Sequence, residues 1–247
     1  MLSQEEIERR RREQMRERRR RAAQKKRRKE QLIRLLLVLG IVFLAVGIVL
    51  LVQHIKKSRA ASAKPQVKIV EEPPEYQVDL LDINEYSRPG ITIEKVNDIV
   101  IHYTANPGTT AQQNRNYFNG LQTSKLTKAS AHFVVGLEGE IVQCIPCNEM
   151  AYASNDRNGD TISIECCHGD ATGKFNQETE DTLVHLTAWL LGRYGLTTEN
   201  VIRHYDVTGK KCPLYYVENP DAWEEFKNKV DEYIDKYGTI PEEELES

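Results

Sequence analysis

The chain has 247 residues, of which 40% are hydrophobic and 29% are charged, and its formal net charge at pH 7 is only −3. This small charge hides an asymmetry, because residues 1–34 hold fifteen Lys or Arg against six Glu, a net charge of +9, so that the rest must carry −12. A uniformly basic protein is excluded, and the basic segment alone is expected to contact a membrane surface or a nucleic acid.

The next segment, residues 35–52, contains eighteen consecutive uncharged residues, nearly all of them apolar. Together with Leu32 and Ile33 it is long enough to cross a bilayer as one helix. Lys and Arg are denser before the span than after it, which predicts a cytoplasmic N-terminus and an external C-terminal part. A charged stretch, 54–59, separates the span from the small residues of 61–63, so an uncleaved signal anchor is favoured over a cleaved signal peptide.

The remaining segments read as a linker, a folded domain and a short tail. Residues 53–77 include Pro73-Pro74 and have no sustained apolar period, which is typical of an extracytoplasmic spacer. Residues 78–238 are long enough for one hydrophobic core. Residues 239–247 form an acidic tail.

Within the domain, strand-like and helix-like patterns alternate, which predicts an α/β fold with a mixed central β-sheet flanked by helices. Gly139 is expected in a hairpin turn, Asn176 and Gly195 at the two ends of a helix, and Pro220 in the first turn of the last helix. The predicted strands are 98–103, 133–137, 140–145, 161–167 and one beginning at Val201; the predicted helices are 109–121, one after Asn176, and one from Pro220 to Gly238.

Two histidines close apolar strands, and a cysteine follows the second one. His102 ends the strand 98–103, His204 follows Val201-Ile-Arg203, and Cys212 lies eight residues after His204 on the far side of a loop. A lone strand histidine is more often a hydrogen-bonded core residue than a ligand. Neutral imidazole and thiolate are nevertheless preferred zinc ligands, and active sites gather at strand ends. The pattern therefore predicts a site in which His102, His204 and Cys212 bind Zn2+ and leave one position open.

Four segments together resemble the zinc-dependent N-acetylmuramoyl-L-alanine amidases of the second amidase family, which are related to phage amidase-type lysozymes and peptidoglycan recognition proteins. The matching segments are Ile101-His-Tyr-Thr-Ala105, Ser130-Ala-His-Phe-Val-Val-Gly136, Ile162-Ser-Ile-Glu165 and His204-Tyr-Asp-Val-Thr-Gly-Lys-Lys-Cys-Pro213. The resemblance covers roughly half of the chain. It implies a peptidoglycan hydrolase that cleaves the bond between the lactyl group of N-acetylmuramic acid and L-alanine.

The resemblance also implies roles for two further residues. Glu165 occupies the position of the family's general base, and strand alternation places it opposite Ile162 and Ile164. In a branch of the family without this Glu, a Tyr before the histidine of the second segment is implicated, and here that position is Ala131, which favours Glu165. His132 is then left as a supporting or structural residue. Lys210, two residues before Cys212, corresponds to the catalytic lysine that stabilises the oxyanion.

The other four cysteines leave alternatives open. Cys144, Cys147, Cys166 and Cys167 lie in a domain that is expected outside the membrane, where disulfides form. Cys144 and Cys147 have a spacing seen in metal and redox sites, but no second pair accompanies them, so a second zinc site is disfavoured. Pairing of the Cys144 region with Cys166 or Cys167 and free buried thiols both remain open.

Two other functions compete with the hydrolase. A membrane-anchored peptidoglycan-binding module without turnover is the main alternative, and retention of the zinc cysteine, Cys212, favours the enzyme. A nucleic-acid-binding protein is disfavoured, because no aromatic platform or nucleic-acid-binding motif accompanies the basic tail. The partners expected are thus peptidoglycan and the membrane, and not nucleic acid.

Overall fold

The structure, a computed structural model, describes residues 15–21, 24–31, 40, 43–44, 46–48, 50–51, 53 and 67–241, and the chain divides into the units Met1–Pro65 and Gln66–Ser247. The described residues of the first unit are helical and exposed. Among all described residues, we find no helix with both the length and the apolar character needed to cross a membrane. Much of the predicted span 35–52, and residues 54–66 of the predicted linker, lie outside the described residues.

Within residues 67–241, six strands form a single mixed sheet, which confirms the predicted fold class. Their spatial order is β1-β4-β3-β5-β2-β6, and each neighbouring pair is parallel except β3 and β4. The strands are β1 Gln77–Val78, β2 Asp98–Tyr103, β3 Phe133–Val135, β4 Ile141–Gln143, β5 Thr161–Cys166 and β6 Val201–Arg203.

The helices between and after these strands are α1 Ala111–Ser124, α2 Gln177–Tyr194, α3 His204–Thr208, α4 Leu214–Glu218 and α5 Pro220–Tyr237. The predicted ends of α2 and the predicted start of α5 are confirmed, whereas α1 begins two residues and ends three residues later than the predicted helix 109–121. The Asn176 side chain accepts a hydrogen bond from the Thr179 backbone at the start of α2, and Gly195 ends the helix in the left-handed conformation at φ +63°. Pro220 occupies the first turn of α5.

The sheet is covered on both faces, because strand residues alternate between two cores. Phe133 and Val135 of β3 point into the core that contains the apolar faces of α2 and α5, whereas Val134 points into a smaller core with Phe118 and Leu121 of α1. This alternation also decides where polar strand residues lie. On β2 and β5 the face opposite the larger core carries the histidine and carboxylate of the predicted site.

Three local predictions differ from the structure. β3 and β4 are shorter than predicted, although Gly139 lies in the turn between them at φ +80°. The segment after His204 is not a simple loop but the short helix α3, because the Asp206 carboxylate accepts a hydrogen bond from the Arg203 backbone at its start.

The compact unit also begins earlier than the predicted boundary at Val78. Ile69 pairs with Thr239 through two backbone hydrogen bonds of 2.9 Å, so one residue of the predicted acidic tail is tied to the start of the domain. Val70 is buried, and the Tyr76 ring packs edge-on against Phe133. Burial of apolar side chains thus extends the domain into the predicted linker, while residues 242–247 lie outside the described residues.

All five cysteines are free thiols in the structure. Cys144 and Cys167 belong to the smaller core, and Cys166 belongs to the larger one. Of the two alternatives left by the sequence, the structure therefore has free, mostly buried thiols.

Candidate metal centre and catalytic cleft

The three predicted metal ligands converge at one edge of the sheet. His102 lies near the carboxyl end of β2, and His204 directly follows β6, which is the parallel neighbour of β2. The potential ligand atoms of His102, His204 and Cys212 all lie within 4.8 Å of one another. The Cys212 Sγ is 3.8 Å from the His102 Nδ1, and the two imidazole rings are 4.7 Å apart. Parallel strands therefore bring together residues that are 110 positions apart in the chain.

Local structure returns Cys212 to the side of His204. Helix α3 ends at Gly209, whose φ of +76° allows a sharp turn at little steric cost. The backbone of Tyr205 then donates a hydrogen bond of 2.9 Å to the carbonyl of Cys212. This bond closes the loop between the second histidine and the cysteine.

The protonation states of the three side chains suit a metal ion. Burial holds the pKa of His102 well below its usual value, and the charge of Lys210 acts in the same direction; burial also lowers the pKa of His204. Both imidazoles are thus neutral near pH 7 and can act as ligands. Burial raises the pKa of the Cys212 thiol to about 12, so the thiolate form requires a nearby cation. Two neutral imidazoles and one such thiol form a donor set that fits Zn2+.

Glu165 lies next to this cluster on β5. It is in register with His102 on the neighbouring strand, and its Oε2 is buried without a hydrogen-bond partner among the described residues. Burial raises the pKa of Glu165 to about 8, and the positive charge of Lys210 opposes this rise. A buried carboxyl group without a partner costs free energy unless a substrate, a water or a cation meets it, which is typical of a functional site.

Lys210 is exposed at the mouth of the cleft. Lys210 lines the same cleft as His102, His204 and Glu165, and its positive charge lowers the pKa values of all three. The structure thus brings together all five predicted site residues. Their catalytic and ligand roles stay predictions.

The cleft itself has a volume of about 420 Å³ and is open to solvent along one side. Its wall contains both apolar and polar groups, including the Phe118 ring and the Thr104 side chain, whose Oγ1 is buried without a partner among the described residues. The Lys128 ammonium lies 5.2 Å above the Tyr152 ring at the rim. A neutral sugar ring and a charged peptide would both find suitable contacts here.

His132 belongs to one of the four segments that resemble the amidase family, but its ring forms structural hydrogen bonds. Its Nδ1 accepts a hydrogen bond of 2.9 Å from the Ser163 backbone, and its Nε2 donates one of 2.8 Å to the carbonyl of Glu149. Since the ring is fully buried, the pKa of His132 falls to about 4. This neutral ring links β5 to the loop around Glu149.

Sequence reasoning missed the loop that carries Ser154, Asn155 and Asn158. The Ser154 hydroxyl contacts His102 at 3.4 Å, and the Asn155 side chain contacts His204 at 3.1 Å. In the sequence the segment Ser154-Asn-Asp-Arg-Asn-Gly159 has only the polar character of a surface turn. No spacing rule relates this segment to His102 or His204, so only the tertiary structure reveals the contacts.

Comparison with known proteins agrees with this geometry. Residues 93–214, about half of the chain, match the family model described as N-acetylmuramoyl-L-alanine amidase. The chain is 38% identical over 169 residues to the N-acetylmuramoyl-L-alanine amidase CwlL of Bacillus licheniformis, which covers 63% of this chain and 46% of that protein. It is 33% identical over 171 residues to the N-acetylmuramoyl-L-alanine amidase BlyA of Bacillus subtilis, and this match covers 61% of this chain and 45% of BlyA. The chain thus spans about half the length of these curated relatives.

Solved structures show the same fold. The catalytic domain of XlyA is 28% identical and superposes with a TM-score of 0.55, covering 64% of this chain and 99% of that domain. The structure of PlyL is 27% identical with the same TM-score, covering 64% and 97%. Residues 93–214, which contain all five predicted site residues, therefore resemble N-acetylmuramoyl-L-alanine amidases over just under half of the chain.

Proposed function

We propose that this chain is a zinc-dependent N-acetylmuramoyl-L-alanine amidase, which hydrolyses the amide bond between the lactyl group of N-acetylmuramic acid and the L-alanine of the peptidoglycan stem peptide. The observation that carries the proposal is the convergence of His102, His204 and Cys212 beside the unpartnered carboxyl of Glu165 in one open cleft. Similarity to curated amidases and to a solved catalytic domain supports the same activity.

His102, His204 and Cys212 would hold the zinc ion. When bound there, zinc would supply Lewis acidity, polarising the scissile carbonyl and lowering the pKa of a water molecule. The protein's own residues carry the remaining steps. Burial makes Glu165 a stronger base than an ordinary carboxylate, and the charge of Lys210 favours its ionised form.

The proposed reaction needs two proton movements and one charge to be stabilised. Glu165 accepts the proton of the water that attacks the carbonyl carbon, and it returns a proton to the departing nitrogen of L-alanine. Lys210, exposed at the cleft mouth, offers its ammonium group to the oxygen on which negative charge develops. The C–N bond then breaks, and the products are a free lactyl carboxyl group and a free L-alanine amino group.

The purified full chain, incubated with purified peptidoglycan, tests this proposal. We expect new L-alanine amino termini to appear with time, to stop after treatment with a chelator, and to resume when zinc is added. Binding to peptidoglycan without release of new amino termini, in a sample that holds zinc, would instead support the membrane-anchored binding module. Full activity in a metal-free sample would contradict the role of zinc.

We also propose that residues 35–52 anchor the chain in the cell membrane with residues 1–34 in the cytoplasm. The support is the sequence: an uncharged run of eighteen residues preceded by a segment of net charge +9. The catalytic domain would then lie on the cell-wall side, where its substrate is.

Protease treatment tests this orientation. A protease added outside intact cells or protoplasts should remove the catalytic domain and spare the basic tail, as detected by tags at the two ends of the chain. Protection of the domain together with digestion of the tail would reverse the orientation. Recovery of the chain in the soluble fraction after cell lysis would contradict the anchor itself.

A further inference from the structure

Two adjacent residues contact the Nε2 atoms of the two predicted ligand histidines. The Ser154 Oγ is 3.4 Å from the Nε2 of His102, and the Asn155 Oδ1 is 3.1 Å from the Nε2 of His204. The other nitrogen of His102, Nδ1, faces the Cys212 Sγ at 3.8 Å. One short loop thus contacts both imidazoles from behind.

The contact with Asn155 decides which nitrogen of His204 is available to a metal, and the contact with Ser154 is compatible with the same choice for His102. An amide oxygen such as Asn155 Oδ1 can only accept a hydrogen bond, so the Nε2 of His204 carries the hydrogen. The Nδ1 of His204 then has a free lone pair. Ser154 lies between His102 and Ser163, whose Oγ is 3.1 Å away. The Ser154 hydroxyl can therefore accept from His102 and donate to Ser163, which again leaves the Nδ1 of His102 free.

The loop is itself fixed by hydrogen bonds. The Asn158 Oδ1 accepts from the backbone nitrogens of Ala153, at 3.0 Å, and Ser154, at 2.6 Å. On the other side, Arg157 forms ion pairs with Asp160 and with Asp98 at the start of β2. Both anchors keep the loop in a fixed position against the strand that carries His102.

Asn155 has a backbone conformation that a side chain rarely adopts. Its φ is +52°, in the left-handed region, where Asn is tolerated better than most residues but Gly best. Such strain is found where a side chain must point in a required direction. Here the strained residue is the one whose amide reaches His204.

We propose that Ser154 and Asn155 are positioning residues, which fix the tautomer and orientation of His102 and His204 so that both present Nδ1 to zinc. The inference rests on the proposed function, because it concerns the same metal centre. Hydrogen bonds to the far nitrogen of a ligand histidine raise its basicity and typically change metal affinity by about 10- to 100-fold. Two such bonds from consecutive residues would couple the two ligands through one loop.

Asn155 can be tested without harming the backbone. Asn155→Gly removes the amide and accepts the positive φ, so the thermal unfolding midpoint should stay within a few degrees of the parent while the zinc dissociation constant rises about 10- to 100-fold. Asn155→Asp keeps an acceptor oxygen and should restore affinity to within a few-fold of the parent. Lys125→Gly is the matched control, since Lys125 also has a positive φ, +54°, but ends α1 away from the histidines.

Ser154 is tested in the same way. Ser154→Ala removes the acceptor for His102 and should weaken zinc binding by about 10-fold or more. Ser87→Ala is the control, because Ser87 is also fully buried and its hydroxyl also accepts a side-chain hydrogen bond, from Asn84. Zinc affinity is measured on the purified full chain by competition with a chromophoric chelator. The visible absorption of the cobalt-loaded chain reports ligand geometry independently of activity.

The outcomes separate this inference from the proposed function. If the parent chain holds no zinc, the metal centre and the inference both fail. If the parent holds zinc tightly while Asn155→Gly and Ser154→Ala have unchanged affinity and unchanged cobalt spectra, the inference alone is overturned. A weakened affinity with an altered spectrum, restored in Asn155→Asp and absent in both controls, supports it.

Discussion

Replacing Glu165 with Gln separates the proposed base from the metal ligands. Glu165→Gln keeps the shape of the side chain and leaves His102, His204 and Cys212 unchanged, so the zinc content should equal that of the parent. The amide cannot accept the proton of the attacking water. We therefore expect kcat to fall by a factor of about 10² to 10⁴, equivalent to about 3–5 kcal/mol of barrier.

Although Glu165→Gln is expected to lower kcat, it is expected to make the metal-free domain more stable relative to the parent as the pH rises. In the metal-free domain the pKa of Glu165 is about 8, above the ordinary value of 4.5, because the carboxylate is buried. A carboxyl whose pKa is raised by folding stabilises the protein at low pH and loses that contribution as the pH rises through about 8. Gln does not titrate, so the variant does not lose this contribution. As the pH is raised from 5 to 8, the free energy of unfolding of metal-free Glu165→Gln should therefore rise by about 1–3 kcal/mol relative to that of the metal-free parent.

Three measurements check this prediction. Release of L-alanine amino termini gives kcat, elemental analysis gives the zinc content, and urea unfolding of chelator-treated protein at the two pH values gives the stability. Glu138→Gln is the control, since Glu138 is exposed and is not among the residues that line the cleft. If Glu165→Gln retains zinc and near-normal turnover, another group is the base and the reasoning from the buried carboxyl is refuted.

Three further predictions concern neighbouring residues. Cys212→Ser replaces a soft thiolate with a neutral hydroxyl, so zinc affinity and activity should fall together, and zinc retained at the parent's affinity would contradict the ligand assignment. Lys210→Met should keep zinc and lower kcat about 10²- to 10³-fold with little change in KM, because its charge acts when the oxyanion forms; a rise in KM alone would assign it to substrate binding. His132 has a pKa lowered by burial to about 4, so its contribution to stability is present above about pH 6.5 and is lost as the pH falls through about 4. As the pH is lowered from 7 to 4.5, the free energy of unfolding of His132→Gln should therefore rise by about 2 kcal/mol relative to that of the parent. Urea unfolding measures this difference, and parallel pH curves for the two proteins would contradict the prediction.

The secondary structure of the domain was largely predictable from the sequence, because its signals are local. The alternation in β2 and β5, the Asn176 cap and the Pro220 start of α5 depend on residues within a few positions of each other. Predicted strand ends were less accurate around β3 and β4, since the length of a short hairpin depends on which backbone groups find partners in neighbouring strands.

The domain boundary was not predictable in this way. Residues 69–76 have no apolar period, and they fold onto the domain because Val70 and Tyr76 find buried surfaces supplied by distant elements. The same limitation applies to the cysteines, since the sequence left both disulfides and free thiols open and the structure has free thiols.

The sequence by itself determined the chemistry of the site: two imidazoles at strand ends, a thiol after a turn, and a carboxylate and a lysine at the family's positions. The tertiary structure alone decided what surrounds them. Parallel pairing of β2 and β5 sets Glu165 beside His102, and the loop of Ser154 and Asn155 reaches both histidines from behind. Residue types follow from local pattern, whereas protonation state and ring orientation depend on burial and on hydrogen-bond partners that are remote in the chain.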